Sequence, residues 1–225
     1  MLMKKLKVTD EARSLFKKAL PSFSAEDNYQ PALDLLKKSA RLGNADAHEW
    51  LAVAYDYGLG TRLNRPKAFH HYQIAAEAGN SSAQYNVGIF YFDGRGIRKS
   101  YRLAVSWFQK VARKGDADAM DLLGYCYEYG LGVPKDVRRG FRLQLAAARK
   151  GVVEAQYSVG VCFSRGRGVP ADLKEAFHWY LKAAKKGHSD AAHNLARFYE
   201  TGRGTKTNQK KALDWYARSE KLRTD

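Results

Sequence analysis

Alanine recurs at Ala47, Ala83, Ala119, Ala155 and Ala191, and every step is 36 residues. A pair of glycines one residue apart keeps the same step: Gly58/Gly60, Gly94/Gly96, Gly130/Gly132, Gly166/Gly168 and Gly202/Gly204. An aromatic precedes each pair at Tyr55, Tyr91, Tyr127, Phe163 and Tyr199. A second small-residue column runs Ala68, Ala104, Gly140, Ala176, Ala212, and a Trp column runs Trp107, Trp179, Trp215, with His71 and Leu143 in the other copies. No insertion breaks the register. A period of this length is the mark of a stacked array, in which each unit is one supersecondary motif.

Each column has a physical reason. Ala47, Leu51, Ala52 and Tyr55 fall on one face of a helix, here called helix A. Other copies put Gly88, Gly124 or Gly160 in place of Ala52. A mid-helix glycine costs about 1 kcal/mol of propensity, which is tolerable where a neighbouring helix must come close. The glycine pair then ends helix A, because glycine accepts the left-handed conformation of a C-terminal cap.

A second helix, helix B, announces its own start. Asn64, Ser100, Asp136, Asp172 and Asn208 are side chains that cap a helix N-terminus. Pro66 sits in the first turn, where a missing N–H costs little. Ala68, His71-Tyr72 and Ala75-Ala76 continue the stripe, and helix B ends at Gly79, Gly115, Gly151 and Gly187. Asn44, Asn80 and Asp116 stand where they cap the next helix A. Neither helix can bury its stripe alone, so the units must stack.

Residues 1–43 hold a degenerate copy. Ala32, Ala40 and Gly43 keep the helix B spacing, Leu35 and Leu36 replace the paired aromatics, and Ala12-Leu15-Phe16-Ala19 supply a partial helix A. The glycine pair is absent, with Ser22 and Ser24 in its place. At the other end the last helix grows polar at Ser219 and Glu220. The expected fold is all-α: an α/α solenoid of five 36-residue helix–turn–helix repeats (44–79, 80–115, 116–151, 152–187 and 188–225) behind an N-terminal capping repeat over 1–43.

A net charge of +16 calls for an explanation, and the usual partners for it are nucleic acid, an anionic membrane or an acidic protein. The basic N-terminus Met1-Leu2-Met3-Lys4-Lys5-Leu6-Lys7 is followed by no apolar run, so no signal peptide and no membrane span are expected. Two cysteines, Cys126 and Cys162, make no disulfide framework. They share one column of adjacent repeats, roughly 16–20 Å apart at two helix spacings, so two free buried thiols are expected. Together these point to the cytoplasm.

Catalytic and ligand-binding chemistry is scarce. The glycine pairs follow no strand and precede no Gly-Lys-Ser/Thr, so they are turns and not phosphate loops. The adjacent His70-His71 point about 100° apart on a helix, and His178 stands alone, so no zinc helix is expected. The chain is read as no enzyme, with no cofactor and no metal.

The run Ala83-Gln84-Tyr85-Asn86-Val87-Gly88, with Tyr91 and Gly94-x-Gly96 after it, resembles Sel1-like repeats. So does Gly166-x-Gly168-Val169-Pro170-x-Asp172, with Lys174-x-Ala176, Trp179-Tyr180, Ala183-Ala184 and Gly187. That family is related to the tetratricopeptide repeat. The resemblance covers residues 44–225 well and 11–43 loosely. It implies a right-handed superhelix, no defined chemistry, and adaptors that bring other proteins together, many of them bacterial. Some secreted members carry a cysteine pair per repeat; this chain does not.

In tetratricopeptide-like arrays the outward face of helix A lines a concave groove. Here that face carries Glu49, Tyr85, Asp121, Tyr157 and His193 in one column. A second column holds Val53, Ile89, Tyr125, Val161 and Arg197, and a third Asp56, Phe92, Glu128, Ser164 and Glu200, with Trp50 alongside. The stack does not need such variety, so these are the expected partner-binding residues.

The five helix A windows contain eleven acidic and two basic residues, a net of −9, which leaves +25 for the rest of the chain. Helix dipoles explain the first-turn acids Asp46, Asp118, Glu154 and Asp190, and the last-turn cations Arg113-Lys114, Arg149-Lys150 and Lys185-Lys186. They do not explain the loop cations Arg62, Arg95, Arg98, Lys99, Arg167, Arg203 and Lys206.

The expected function is a scaffold that takes a protein or peptide, basic or extended, in an acidic and aromatic groove. An immunity-type regulator would be a case of it. The alternative is nucleic-acid or anionic-surface binding through the basic convex face.

Overall fold

The computed structural model describes residues 8–23 and 29–224. Residues 1–7, on which the reading of the N-terminus rests, Ser24 at the place of the missing glycines, and Asp225 at the end of the last repeat lie outside the described residues. The described residues form twelve helices and no strand, and none of these helices is long and apolar enough to cross a membrane. The architecture is an all-α repeat solenoid, and the chain divides into two compact units, Met1–Val111 and Ala112–Asp225.

The first unit runs α1 (Asp10–Phe23), α2 (Gln30–Arg41), α3 (Ala45–Tyr57), α4 (Arg65–Glu77), α5 (Ser81–Asp93) and α6 (Tyr101–Ala112), the last ending at the unit boundary. Helices α1 and α2 fall within the residues read as the degenerate copy. Ala12 and Ala19 are fully buried, and Ser39 donates to the Ala12 carbonyl at 2.6 Å. Leu33, Leu36, Leu51 and Ala54 form the core between this pair and α3. Tyr72, Ala75, Ala83, Val87 and Phe90 form the next core, between α4 and α5.

The second unit runs α7 (Ala117–Tyr129), α8 (Val137–Arg149), α9 (Val153–Arg165), α10 (Leu173–Lys185), α11 (Ser189–Thr201) and α12 (Gln209–Thr224). Phe141, Ala147, Val159 and Trp179 fill one core, and Tyr180, Ala184, Leu195 and Phe198 the other. The alanine columns lie at the seams: Ala119, Ala155, Ala176 and Ala191 have no exposed surface.

The expected caps are in place. Asn64, Asp136 and Asn208 accept from the N–H of Lys67, Arg139 and Lys211 at 2.9–3.0 Å. Ser100 accepts from Leu103 at 3.4 Å, and Asp172 accepts from both Lys174 and Glu175. Helix A of the fifth repeat is capped by a residue that the sequence reading missed: His188 Nδ1 accepts from the Ala191 N–H at 3.2 Å.

The mid-helix glycines make room for helix B. A Cβ on Gly160 would lie 2.7 Å from the Tyr180 ring, and one on Gly88 would lie 2.5 Å from the Phe108 ring. In repeat 3 both helices give way. A Cβ on Gly124 would meet Gln144, and one on Gly140 would meet the Gly124 carbonyl at 2.8 Å.

Two expectations change. Ser219 is not on a polar outer face: it is 1% exposed, in the small-residue column of Ala147 and Ala183, and its hydroxyl donates to the Tyr216 carbonyl at 2.8 Å. The Trp column, which its place in the repeating stripe assigns to the core, is less internal than that. Only Trp179 is buried, while Trp107 and Trp215 are half-buried. Each ring is covered by a cation one turn on, Lys110 at 3.9 Å, Lys182 at 4.2 Å and Arg218 at 5.1 Å. Some of the positive charge on helix B thus packs on the array itself.

Candidate functional site

The glycine pairs do more than end helix A. The second glycine presses its turn against the preceding repeat at Gly60, Gly96, Gly168 and Gly204: a Cβ on Gly168 would lie 2.5 Å from the Val137 carbonyl oxygen at the start of α8. Gly96 abuts Arg65 and Pro66 at the start of α4 in the same way. With its turn held there, the residue between the two glycines reaches the end of the preceding helix A.

In two repeats that residue is an arginine that meets a carboxylate. Arg167 Nη2 is 2.6 Å from Glu128 Oε1, and Arg95 Nη2 is 3.4 Å from Asp56 Oδ2. Both carboxylates are buried, Asp56 at 4% and Glu128 at 5% exposed. Glu128 also accepts from Gln144 Nε2 at 3.2 Å, and Gln144 Oε1 in turn faces Cys162 Sγ. Arg167 lies over the Tyr129 ring and donates to its hydroxyl. The Asp56 site is looser: Arg65 stands 3.9 Å away, and Oδ1 has no hydrogen-bond partner.

Two loop cations that helix dipoles left unexplained therefore neutralise internal carboxylates. Asp56 and Glu128 lie inside the stack and do not line a surface. A third groove acid, Asp121, is 9% exposed, and burial first, then neighbouring Glu154, raises its pKa to about 7.

The remaining predicted residues divide into two sets. Some contact the next repeat or their own helix pair. Glu49 accepts from Asn80 Nδ2 at 2.7 Å, Tyr157 stacks on His188 at 4.3 Å, and His193 meets the Tyr216 ring at 5.2 Å. Tyr85 packs beside Phe108, and Phe92 lies edge-on to Tyr101. Asn80 and His188 are also N-caps, so part of the variety in this column is matched to the cap it touches.

Others face outward. Tyr125, Arg197 and Glu200 are exposed, and Trp50, Val53, Ile89 and Val161 are half-buried. Tyr57 at the end of α3 and Tyr129 at the end of α7, 63% and 46% exposed, are also accessible, each in its own unit, and were missed. The signal was available: position 57 is one helical turn beyond position 53. The Tyr125 and Tyr129 rings lie 4.5 Å apart.

Cys126 and Cys162 are buried and unbonded to each other, and burial pushes both thiols up to about 12. In the first unit His48 Nδ1 and His71 Nδ1 are 2.9 Å apart, and His71 stacks on Tyr55. One nitrogen donates and the other accepts, so the pair is satisfied while both rings are neutral. Burial first, then the neighbouring histidines, lowers the pKa of His71 to about 4.

The Sel1 repeat family model matches residues 25–44, 45–80, 81–116, 117–152, 153–188 and 189–222. The chain belongs to the Sel1 repeat family. It is similar to a Sel1 repeat protein from Oxalobacter formigenes: 31% identity, TM-score 0.82, 92% of this chain and 85% of that one. It is also similar to a protective antigen of uropathogenic Escherichia coli with an SLR fold, at 28% identity and TM-score 0.85 over 93% of this chain. The match spans 46%, about half, of that antigen's length. An immunity protein from Pseudomonas aeruginosa, at 20% identity and TM-score 0.57 over 97% of this chain and 84% of that one, shares the fold alone. No curated protein matches the chain.

Proposed function

We propose that this chain is an interaction scaffold that holds a protein or peptide partner on the outward face of its helix A elements, in the groove that face is expected to line. Family membership supports the scaffold class, since Sel1 repeats are generally protein-interaction modules. The observation that carries the reading is the exposed aromatic pair Tyr125 and Tyr129, with rings 4.5 Å apart on the outward side of α7. The stack does not bury these rings, and aromatics with one accessible face are what interfaces use as anchors. In the first unit the corresponding surface offers Tyr57, Val53 and Ile89. With Asp56 and Glu128 neutralised internally, the partner is recognised more by extended apolar and aromatic contact than by the acidic field that the sequence suggests. The two unbonded thiols favour a reducing, cytoplasmic setting.

The test is affinity purification with the full chain as bait, read by mass spectrometry, then repeated with Tyr125→Ala and Tyr57→Ala. Both side chains are exposed, so the helical signal should be unchanged. Capture of a specific partner should fall about tenfold with at least one variant, as for a modest hot spot. Equal capture by wild type and both variants would move the binding surface elsewhere.

A further inference from the structure

The arginine-to-carboxylate contacts follow a rule in this chain. Within each unit the residue between the glycines has a fixed counterpart 39 positions earlier in the sequence: Leu59 has Leu20, Arg95 has Asp56 and Arg167 has Glu128. Apolar goes with apolar and arginine with acid. The last pair breaks the rule, because Arg203 is matched to Ser164.

The structure has a cleft of about 250 Å³ at that place, lined by Ser164, Arg165, Tyr180, Asn194, Arg197 and Arg203 together with Phe198 and Thr201, and by no acidic residue. Arg203 is anchored as Arg95 is. Arg95 lies 5.4 Å from the Phe90 ring, and Arg203 lies 5.6 Å from the Phe198 ring. No ion pair among the described residues takes up Arg165, Arg197 or Arg203. The floor is satisfied, with Ser164 hydrogen-bonded to Tyr180 and Asn194 to Tyr157. Three guanidinium groups thus border a polar recess where the equivalent site one repeat earlier holds Glu128.

We propose that this cleft is a carboxylate-binding site, filled by an acidic side chain of a peptide partner. The chain itself shows the chemistry, because the same turn arginine receives a carboxylate at Glu128 and at Asp56. Serine is too short to reach it, which leaves the space open from outside. Arg165 and Arg197 add charge that the equivalent positions Tyr129 and Val161 do not have. That combination makes the site selective for an anion and not a generic turn. Arg197 and Ser164 stand on the outward face of helix A, so the inference rests on the scaffold reading and gives the partner one chemical feature.

The probe is a fluorescein-labelled hexaglutamate peptide, with hexaglutamine as the neutral control, followed by anisotropy on the full chain at about 150 mM salt, where distant charges are screened. Arg203→Ala and Ser164→Glu should each weaken binding about tenfold, the loss of one charge-assisted bond. Ser164→Glu supplies the missing carboxylate internally, so it should also raise the melting temperature. That second readout excludes misfolding as the cause of lost binding. Arg142→Gln, an exposed change of the same net charge on α8, should leave binding within about twofold.

Binding that survives Ser164→Glu, or that falls equally with Arg142→Gln, would overturn the site. So would competition by inorganic phosphate that acetate at the same concentration does not reproduce, since the ligand would then be free phosphate. Failure of this site is distinct from failure of the scaffold reading. In the first case Tyr125→Ala weakens capture of a natural partner and Arg203→Ala does not. In the second, neither Tyr57→Ala nor Tyr125→Ala does.

Discussion

Arg167 reaches back from the turn of one repeat to within 2.6 Å of Glu128 in the repeat before it, and ties two α-hairpins together through a buried charge. Arg167→Ala should cost about 2–3 kcal/mol, because it leaves Glu128 ionised in the interior without its partner. The figure is below that for a fully buried pair, since the guanidinium side chain is 32% exposed. Chemical denaturation followed by tryptophan fluorescence measures it. The double variant Glu128→Phe with Arg167→Leu, which takes the residues found 36 positions earlier in the sequence, should recover most of the loss. If Arg167→Ala unfolds at the wild-type midpoint, the pair contributes nothing.

Gly160 should not accept alanine. The gain in helix propensity is about 1 kcal/mol, but the new Cβ would sit 2.7 Å from the Tyr180 ring, which is itself only 3% exposed. Overpacking should win, for a net loss of about 1–3 kcal/mol in the denaturation midpoint. A neutral or stabilised Gly160→Ala would show that the ring moves freely and that close approach is not why glycine stands there.

Two titrating groups should pull stability in opposite directions. Burial lowers the folded pKa of His71 to about 4 from the ordinary 6.5, so the unfolded chain binds more protons between those values. Its contribution is present above pH 6.5 and is lost as pH falls toward 4. Asp121 has a folded pKa near 7 against 3.8, so here the folded chain binds more protons. Its contribution is present below 3.8 and is lost as pH rises through 7. His71→Phe should flatten the acid-side fall in stability. Asp121→Asn should raise the melting temperature more at pH 8 than at pH 5. Thermal scans across pH with both variants settle the signs, and parallel curves for wild type and variants would contradict both.

The thiols of Cys126 and Cys162 should stay silent in the native protein. Each is buried, with burial pushing the pKa to about 12, so almost no thiolate is present at pH 8. A disulfide-exchange reagent should titrate no thiol under native conditions and both in denaturant. Rapid native labelling of either one would mean that the second unit opens locally near α7 or α9.

The array was legible in the sequence because the constraints that set its period are local and recur in every unit. Stacking identical hairpins demands small residues at each seam, a turn that takes left-handed backbone at each reversal, and a capping side chain at each start. Ala47 through Ala191, Gly58 through Gly204, and Asn64 through Asn208 carry those demands in order. The free, buried state of the two cysteines followed from the same register.

The charge was not legible in the same way. Asp56, Asp121 and Glu128 lie on the helical face expected to be outward, yet all three are buried. Helical periodicity ranks the sides of one helix. It does not say how far the turn of the next repeat folds over that side. Ser219 shows the converse: a polar residue at the expected rim lies in the core with its hydroxyl satisfied by its own helix. The sequence alone determined which residues form hairpins and how they repeat, because those are local and periodic constraints. Only the tertiary structure decided which charges meet and which, like Arg203, are left facing a cleft, because that depends on side chains brought together from different repeats.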